Sequence, residues 1–277
     1  MQYMTSIKTI FVLLMLMSAV SVFGDDGMEV KLWQDKMPED NGDVSDIPYM
    51  KIFFPNDNRS AKRLILIIPG GEYDKVNIDK EGTDWVPFFK KMGVTTAVLK
   101  YRLPNGNKRV PIADVERAMT ILRANADKWN VREGGIGVMG FSAGGHLASY
   151  IATHHQDELK PDFQILLYPI ITMLDGFANI NARSLFLGDS PKKKTDKHYS
   201  TDMHVTRMTP RALVMLSDND TVVSPSNGVN YYNELYRHDV PASLYVFPTG
   251  GHGWGISEGF DYHLEMELLI KAWLESF

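Results

Sequence analysis

Residues Gly140 to Gly144 read GFSAG, a serine with a glycine two positions away on either side. The apolar, strand-like stretch GGIGVM leads into it, and the helix-like stretch HLASYIATHH leads out. In that setting the glycines have a steric task. The chain must turn so tightly between strand and helix that side chains two before and two after the serine would clash. Such a turn lifts the Ser142 hydroxyl above the sheet. The following helix aims its unpaired N–H groups and positive dipole end at any oxyanion formed there. The competing reading is a chance match in a glycine-rich loop, which would not require a strand before and a helix after.

A serine hydroxyl is a weak nucleophile until a base takes its proton, and the base needs an acid to orient it. Where a serine sits on a strand–turn–helix junction, the chain order is serine, acid, histidine. The C-terminal part supplies both in that order. LSDNDTVVSP follows the apolar run RALVM and offers Asp218 and Asp220; PTGGHGWG follows ASLYVF and offers His252 between glycines. Asp220, deeper in its loop, is the expected acid, with Asp218 left to hold the loop by an Asx-type bond. An oxyanion site needs two N–H donors. Ala143, after the nucleophile, gives one, and Gly71 or Glu72 in IIPGGEY gives the other. Tyr73 and Tyr168 follow strand ends and are candidates to line a pocket. Trp254 is a candidate to stack on a substrate ring, or equally to pack beside the histidine loop. Arg102 reads as a structural hub rather than a substrate clamp. His146 falls on the helix after Ser142, where core packing is the default. His154 and His155 resemble a metal pair, yet neighbouring helical residues point about 100° apart and do not readily share one ion.

These residues need a frame to hold them. RLILIIP and GVTTAVLKY are nearly continuous apolar runs, the pattern of strands buried on both faces. Amphipathic stretches alternate with such runs: TDWVPFFKKMG, PIADVERAMTILRANADKW opening on Pro111, NGVNYYNELYRHD, and Tyr262 to Leu274. Strands alternating with helices imply right-handed crossovers and a mostly parallel, doubly wound sheet. The expectation is one α/β domain over residues 25–277. Residues 170–210 break the rhythm and read as an insertion over the C-terminal ends of the strands, where open α/β sheets bind ligands.

The 277 residues carry 29 Lys and Arg against 34 Asp and Glu, with no cysteine. Without a basic patch, nucleic acid is not an expected partner. Without cysteine there is no thiol chemistry and no disulfide framework. Lys8 followed by the apolar Ile10 to Phe23 reads as a signal peptide over residues 1–24, since a membrane span needs about 20 apolar residues. An uncleaved anchor is the alternative. Export without cysteine suits a bacterial periplasmic or secreted protein, with no membrane contact beyond the leader. The sequence does not set the oligomeric state.

Taken together, PGGEY, DKEGTDW, AVLKYRLPNG, VPIADVERAM, GVMGFSAGGHLAS, LYPIITM, LSDNDTVV and FPTGGHGWG resemble the acetylxylan-esterase-like carbohydrate esterases of polysaccharide-degrading bacteria, which have the α/β-hydrolase fold. The resemblance covers most of the chain beyond the leader. It implies Ser142, Asp220 and His252 as the catalytic triad, acetylated xylan-type oligosaccharides as substrate, and no metal or cofactor. Glu72 departs from the family, which has a glycine or another small residue there; a carboxylate at the mouth disfavours anionic substrates unless it is paired or turned away. A glycosidase needs two facing carboxylates, and this pattern offers a serine triad instead. The rival readings are a serine exopeptidase on the same fold and a non-catalytic binding module that has kept it.

Overall fold

The computed structural model describes residues 27–55, 60–155, 158–189 and 192–277. The leader-like residues 1–24 lie outside them. In chain order the elements are β1 (Met28–Lys31), β2 (Tyr49–Phe53), β3 (Leu64–Ile68), α1 (Val86–Lys91), β4 (Thr95–Lys100), α2 (Arg109–Asn125), β5 (Ile136–Phe141) and α3 (Ser142–His154). Then follow β6 (Phe163–Leu167), α4 (Ile180–Leu187), α5 (Lys193–His198), β7 (Arg211–Ser217), α6 (Ser226–Arg237), β8 (Ala242–Phe247) and α7 (His263–Glu275). Short 3-10 turns cover Thr83–Trp85 and Thr201–His204.

The strands form a single eight-stranded sheet in the order β1-β2-β4-β3-β5-β6-β7-β8. The pairs β1–β2 and β2–β4 are antiparallel, and every pair from β4–β3 to β7–β8 is parallel. Strand β3 shows why its sequence is apolar without a break. Leu64, Leu66 and Ile68 join one core layer with α2, α3 and α6, while Ile65 and Ile67 join another with α1 and α7. Successive side chains point to opposite faces, and both faces are covered. Each fully buried Leu or Ile contributes about 1.5–3 kcal/mol, so this central strand anchors both layers. Among the described residues no helix is long and apolar enough to cross a membrane.

Two expectations shift. Helix α2 starts at Arg109, so Pro111 is its third residue rather than its opening one. The Asn107 side chain accepts the Arg109 N–H at 3.2 Å and starts the helix two residues early. A proline is still tolerated in the first turn, where N–H groups lack helical partners. The insertion between β6 and β7 reaches the strand ends with its first part, through Ile170 and Asn179. Its remainder lies along α3 and α6, with Ala182, Phe186, Leu187, Tyr199 and Val205 buried in their core layer. The Asn227 amide of α6 fastens it by accepting the N–H groups of Ile171 at 2.9 Å and Thr172 at 3.0 Å.

Arg102 is the structural hub that its sequence setting suggests. Its side chain and that of Asp114 on α2 are 2% and 0% exposed and pair at 2.8 Å. The guanidinium also donates to the carbonyls of Glu39 and Pro38 at 3.0 Å each. Asp114 in turn accepts the indole N–H of Trp33 at 2.8 Å. The pair thereby fixes the segment before β2 against the helical layer. Asp114→Ala would strand a buried guanidinium, a loss of about 3–5 kcal/mol. A melting temperature lower by roughly 10 °C is expected in thermal denaturation; an unchanged value would show that the pair is dispensable.

Candidate active site

Ser142 opens α3 with φ 48°, a left-handed conformation that a side-chain-bearing residue adopts only at a cost of about 1–3 kcal/mol. Its surroundings impose it. A Cβ on Gly144 would strike the Ile68 and Pro69 carbonyl oxygens, and one on Gly140 would strike the Gly144 carbonyl and the Ala148 side chain. Strand β3, strand β5 and α3 therefore approach to backbone contact, and only glycine fits at both points. The helix behind the serine is buried from Ser142 to Thr153, so the turn rests on a rigid element. The Ser142 carbonyl also accepts the Ile170 N–H at 3.0 Å.

Ser142 Oγ lies 2.9 Å from His252 Nε2, and His252 Nδ1 lies 2.6 Å from Asp220 Oδ2. With Asp220 accepting from Nδ1–H, Nε2 is left to take the serine proton. The other Asp220 oxygen accepts the N–H groups of Val222 and Val223 at 2.9 Å each, which locks the carboxyl plane. Asp218 is exposed, and among the described residues its side chain makes no hydrogen bond that holds the loop. That task falls to Asn219, whose Oδ1 accepts the Gly251 N–H at 2.8 Å and ties the acid loop to the histidine loop.

Ala143 N–H stands at the open end of α3. Across the pocket, Gly70 N–H is already donated to Glu81 Oε2 at 3.0 Å. The N–H groups of Gly71 and Glu72 make no hydrogen bond among the described residues, so these two remain the donors free to complete an oxyanion site. The Glu72 carboxylate is paired, accepting from Asn179 Nδ2 at 3.0 Å. The inserted segment thereby reaches the pocket rim. The cavity itself holds about 680 Å³ and is lined by Gly71, Glu72, residues 74–81, Ser142, Val222, His252 and Gly253.

Two aromatic expectations need correction, and a third takes its packing alternative. Tyr73 is wholly buried; its hydroxyl is 2.7 Å from His146 Nδ1, and its ring stacks on Phe186 with centroids 4.7 Å apart. Tyr168 is buried behind the histidine, with its ring 4.8 Å from that of His252. Trp254 donates to Ser217 Oγ at 2.9 Å and stacks on Phe260 at 4.4 Å, so it packs rather than offering a face to a sugar. Each follows a strand end, but the chain then turns it inward. His146 is a core residue held between Tyr73 and the Tyr199 carbonyl, and burial pushes it down to about 4.

Glu81 is the residue that sequence reasoning passed over. It is buried, yet its two oxygens accept from three groups: Gly70 N–H at 3.0 Å, Asn77 Nδ2 at 3.2 Å and Tyr168 Oη at 2.9 Å. Burial first, and Glu81 second, hold the Tyr168 phenol well above its ordinary value, so it stays a donor. The Tyr168 oxygen meanwhile accepts the Gly255 N–H at 3.0 Å. One carboxylate thus links the oxyanion-side loop to the aromatic ring against which His252 rests. Its only signal in the sequence was an acid within DKEGTDW, among several exposed acids.

The BD-FAE family profile matches residues 50–235. An acetylxylan esterase of Xylanibacter ruminicola is 36% identical over 231 residues, 82% of this chain and 48% of that protein. Endo-1,4-beta-xylanase B of Butyrivibrio fibrisolvens is 29% identical over 264 residues, 87% of this chain and 41% of that protein. The chain therefore spans less than half the length of either relative. Among solved structures, an acetyl ester-xyloside bifunctional hydrolase from Caldicellulosiruptor lactoaceticus superposes with TM-score 0.83 at 28% identity, covering 90% of this chain and 96% of its own. The carboxylesterase Cest-2923 of Lactobacillus plantarum, at 22% identity and TM-score 0.70 over 82% of this chain and 92% of its own, shares the fold. The architecture is that of the α/β hydrolases.

In Glu81→Gln the side-chain amide would set N–H against one of three donors and leave it unsatisfied, a loss of about 1–3 kcal/mol. The expected result with an activated acetate ester is a kcat lower by about tenfold or more at little-changed KM. Full kcat in this variant would mean that Glu81 does not position the site.

Proposed function

The chain belongs to the BD-FAE family, and from that premise we propose that it is a serine esterase removing acetyl groups from xylan-type oligosaccharides. The observation that carries this reading is the hydrogen-bonded run Ser142–His252–Asp220 opening into a polar cavity. The serine attacks the ester carbonyl as His252 takes its proton. Ala143 and either Gly71 or Glu72 donate to the oxyanion, each such bond being worth about 3–4 kcal/mol in the transition state. His252 returns the proton to the departing sugar hydroxyl, leaving acetyl-Ser142. Water then attacks the acyl group by the same route, and the serine is regenerated.

The cavity wall favours a hydroxylated acceptor. Asp74, Lys75, Asn77, Asp79 and Lys80 line it, so a sugar finds both donors and acceptors there. With Tyr73, Tyr168 and Trp254 turned into the core, selection rests on these polar groups and on shape rather than on ring stacking. The sequence relative from Xylanibacter ruminicola, an acetylxylan esterase, supports the same substrate class. A glycosidase role finds no support in the carboxylates beside the serine. Both oxygens of Asp220 and both of Glu81 are engaged by groups of the protein itself, so neither is free to protonate or attack a glycosidic bond. The leader-like residues 1–24 and the lack of cysteine support action outside the cytoplasm.

Acetate release from acetylated xylo-oligosaccharides tests this directly. Wild type should release acetate, and Ser142→Ala should lose activity by about 10⁴-fold or more. Cleavage confined to a simple activated acetate would keep the serine mechanism and remove the xylan assignment. Absence of turnover on either substrate would favour a binding module.

A further inference from the structure

The insertion brings together three histidines far apart in sequence. His154 ends α3, His198 ends α5, and His204 ends the 3-10 turn Thr201–His204. Their rings touch one another, with centroids 4.3 Å apart for His154 and His204, 5.2 Å for His154 and His198, and 5.6 Å for His198 and His204. One ring nitrogen from each lies within 4.8 Å of the other two. His155 is not part of the group; it turns to Glu116 at 3.2 Å. Adjacent histidines diverge here as the sequence suggests, but His154 finds its companions on other elements.

A second observation is the proton balance on His154. A neutral imidazole carries one N–H, yet both His154 nitrogens face carbonyl oxygens: Nδ1 that of Tyr150 at 3.3 Å, Nε2 that of His198 at 3.0 Å. The Thr153 hydroxyl, 3.0 Å from Nδ1, is itself placed to donate to the Ser149 carbonyl at 2.8 Å. With the Thr153 proton on the Ser149 carbonyl, a neutral His154 sets one lone pair against a carbonyl oxygen. A cation that takes this lone pair, with the imidazole turned off the carbonyl, relieves the conflict. The main chain already orients two of the rings, through the Tyr150 carbonyl at His154 and the Lys197 carbonyl, 3.2 Å from Nε2, at His204. Such outer contacts fix a ring so that its other nitrogen can ligate. Asp202, with a buried and unpartnered Oδ1, adds negative charge close to His204.

We propose that His154, His198 and His204 bind a divalent transition-metal ion of the zinc and copper class, pinning the insertion to the helix that carries Ser142. Three imidazoles with a water in the fourth position suit zinc, whereas calcium and magnesium prefer oxygen ligands. Tetrahedral ligands at about 2.0–2.1 Å stand about 3.4 Å apart, so the nitrogens must close by at most about 1.4 Å. Rotation of the imidazoles, freest at exposed His198, would supply that. The site is separate from the triad: His154 lies twelve residues beyond Ser142 on α3, about 18 Å along the axis at 1.5 Å per residue.

Zinc chloride titrated into the metal-stripped protein at neutral pH, followed by calorimetry, reads the site without reference to any reaction. The expected result is one zinc per chain at micromolar or lower Kd, with a melting temperature raised by about 5 °C at saturating metal. Cobalt in its place should give the visible absorption of a tetrahedral ion. His198→Ala and His204→Ala, each at the insertion surface, should weaken binding at least tenfold and leave turnover of an acetate ester unchanged. The proposal is overturned if saturable stoichiometric binding is absent. Unchanged affinity in a variant carrying both His198→Ala and His204→Ala overturns it too, since the zinc would then sit elsewhere, as at His252.

Discussion

The backbone contact between the start of α3 and the ends of β3 and β5 is the constraint on which the remaining geometry depends. Gly144 lies against the carbonyls of Ile68 and Pro69, and Gly140 lies against Gly144 and Ala148. Because the peptide units themselves touch, the serine between these glycines has almost no positional freedom. Its left-handed φ is a local cost of about 1–3 kcal/mol, offset by a helix buried along nearly its whole length. The same contact brings the open end of α3 beside the loop after β3, where Gly70 lies against Phe141 and Ser142. Ser142 and the N–H groups proposed for the oxyanion are thus positioned by one packing event rather than by separate loops.

The other half of the site is held by bonds between loops. Parallel strands β3, β5, β6, β7 and β8 all deliver their C-terminal ends to one edge of the sheet, and each supplies a different part: donors, serine, Tyr168, acid and histidine. Loops so gathered could drift independently. Asn219 ties the acid loop to the histidine loop, and Glu81 with Tyr168 ties the donor loop to the histidine's packing surface. The strands set where the loops start; these buried polar links set where they finish. A buried carboxylate with three donors is costly to assemble, but once satisfied it permits one arrangement only.

This division explains what the sequence disclosed. The serine turn, the acid and the histidine are legible because local rules govern them: glycine where backbones touch, fixed chain order, and a loop after each apolar run. The doubly buried strands are legible for a similar reason, as continuous apolar runs. Glu81 is not, since an acid that will be buried by a distant tyrosine looks like its solvated neighbours Asp79 and Asp84. Tyr73 and Tyr168 mislead in the opposite way. Aromatic residues after strand ends lie near the pocket in sequence, but their direction depends on φ values such as 63° at Tyr73 and 38° at Tyr168, which composition does not encode. Asn219 took the loop-holding role expected of Asp218 because a one-residue step in a turn reverses which side chain faces the neighbouring loop.

The insertion between β6 and β7 shows how a segment without a strong core of its own can still shape a site. Its helices α4 and α5 have eight and six residues, too short to be stable alone. It is therefore fixed at points. Asn179 caps α4 through the Ala182 N–H while donating to Glu72 and the Val222 carbonyl, joining the insertion to both walls of the pocket mouth. Asn227 holds its first residues, and Phe186 packs on Tyr73 and His146 at the back of α3. A rim built this way can change in sequence without disturbing the serine turn, provided the anchoring residues stay. Variation between Asn179 and Thr201 would then alter the shape of the pocket rim, while the hydrogen-bonded Ser142, His252 and Asp220 beneath keep their geometry.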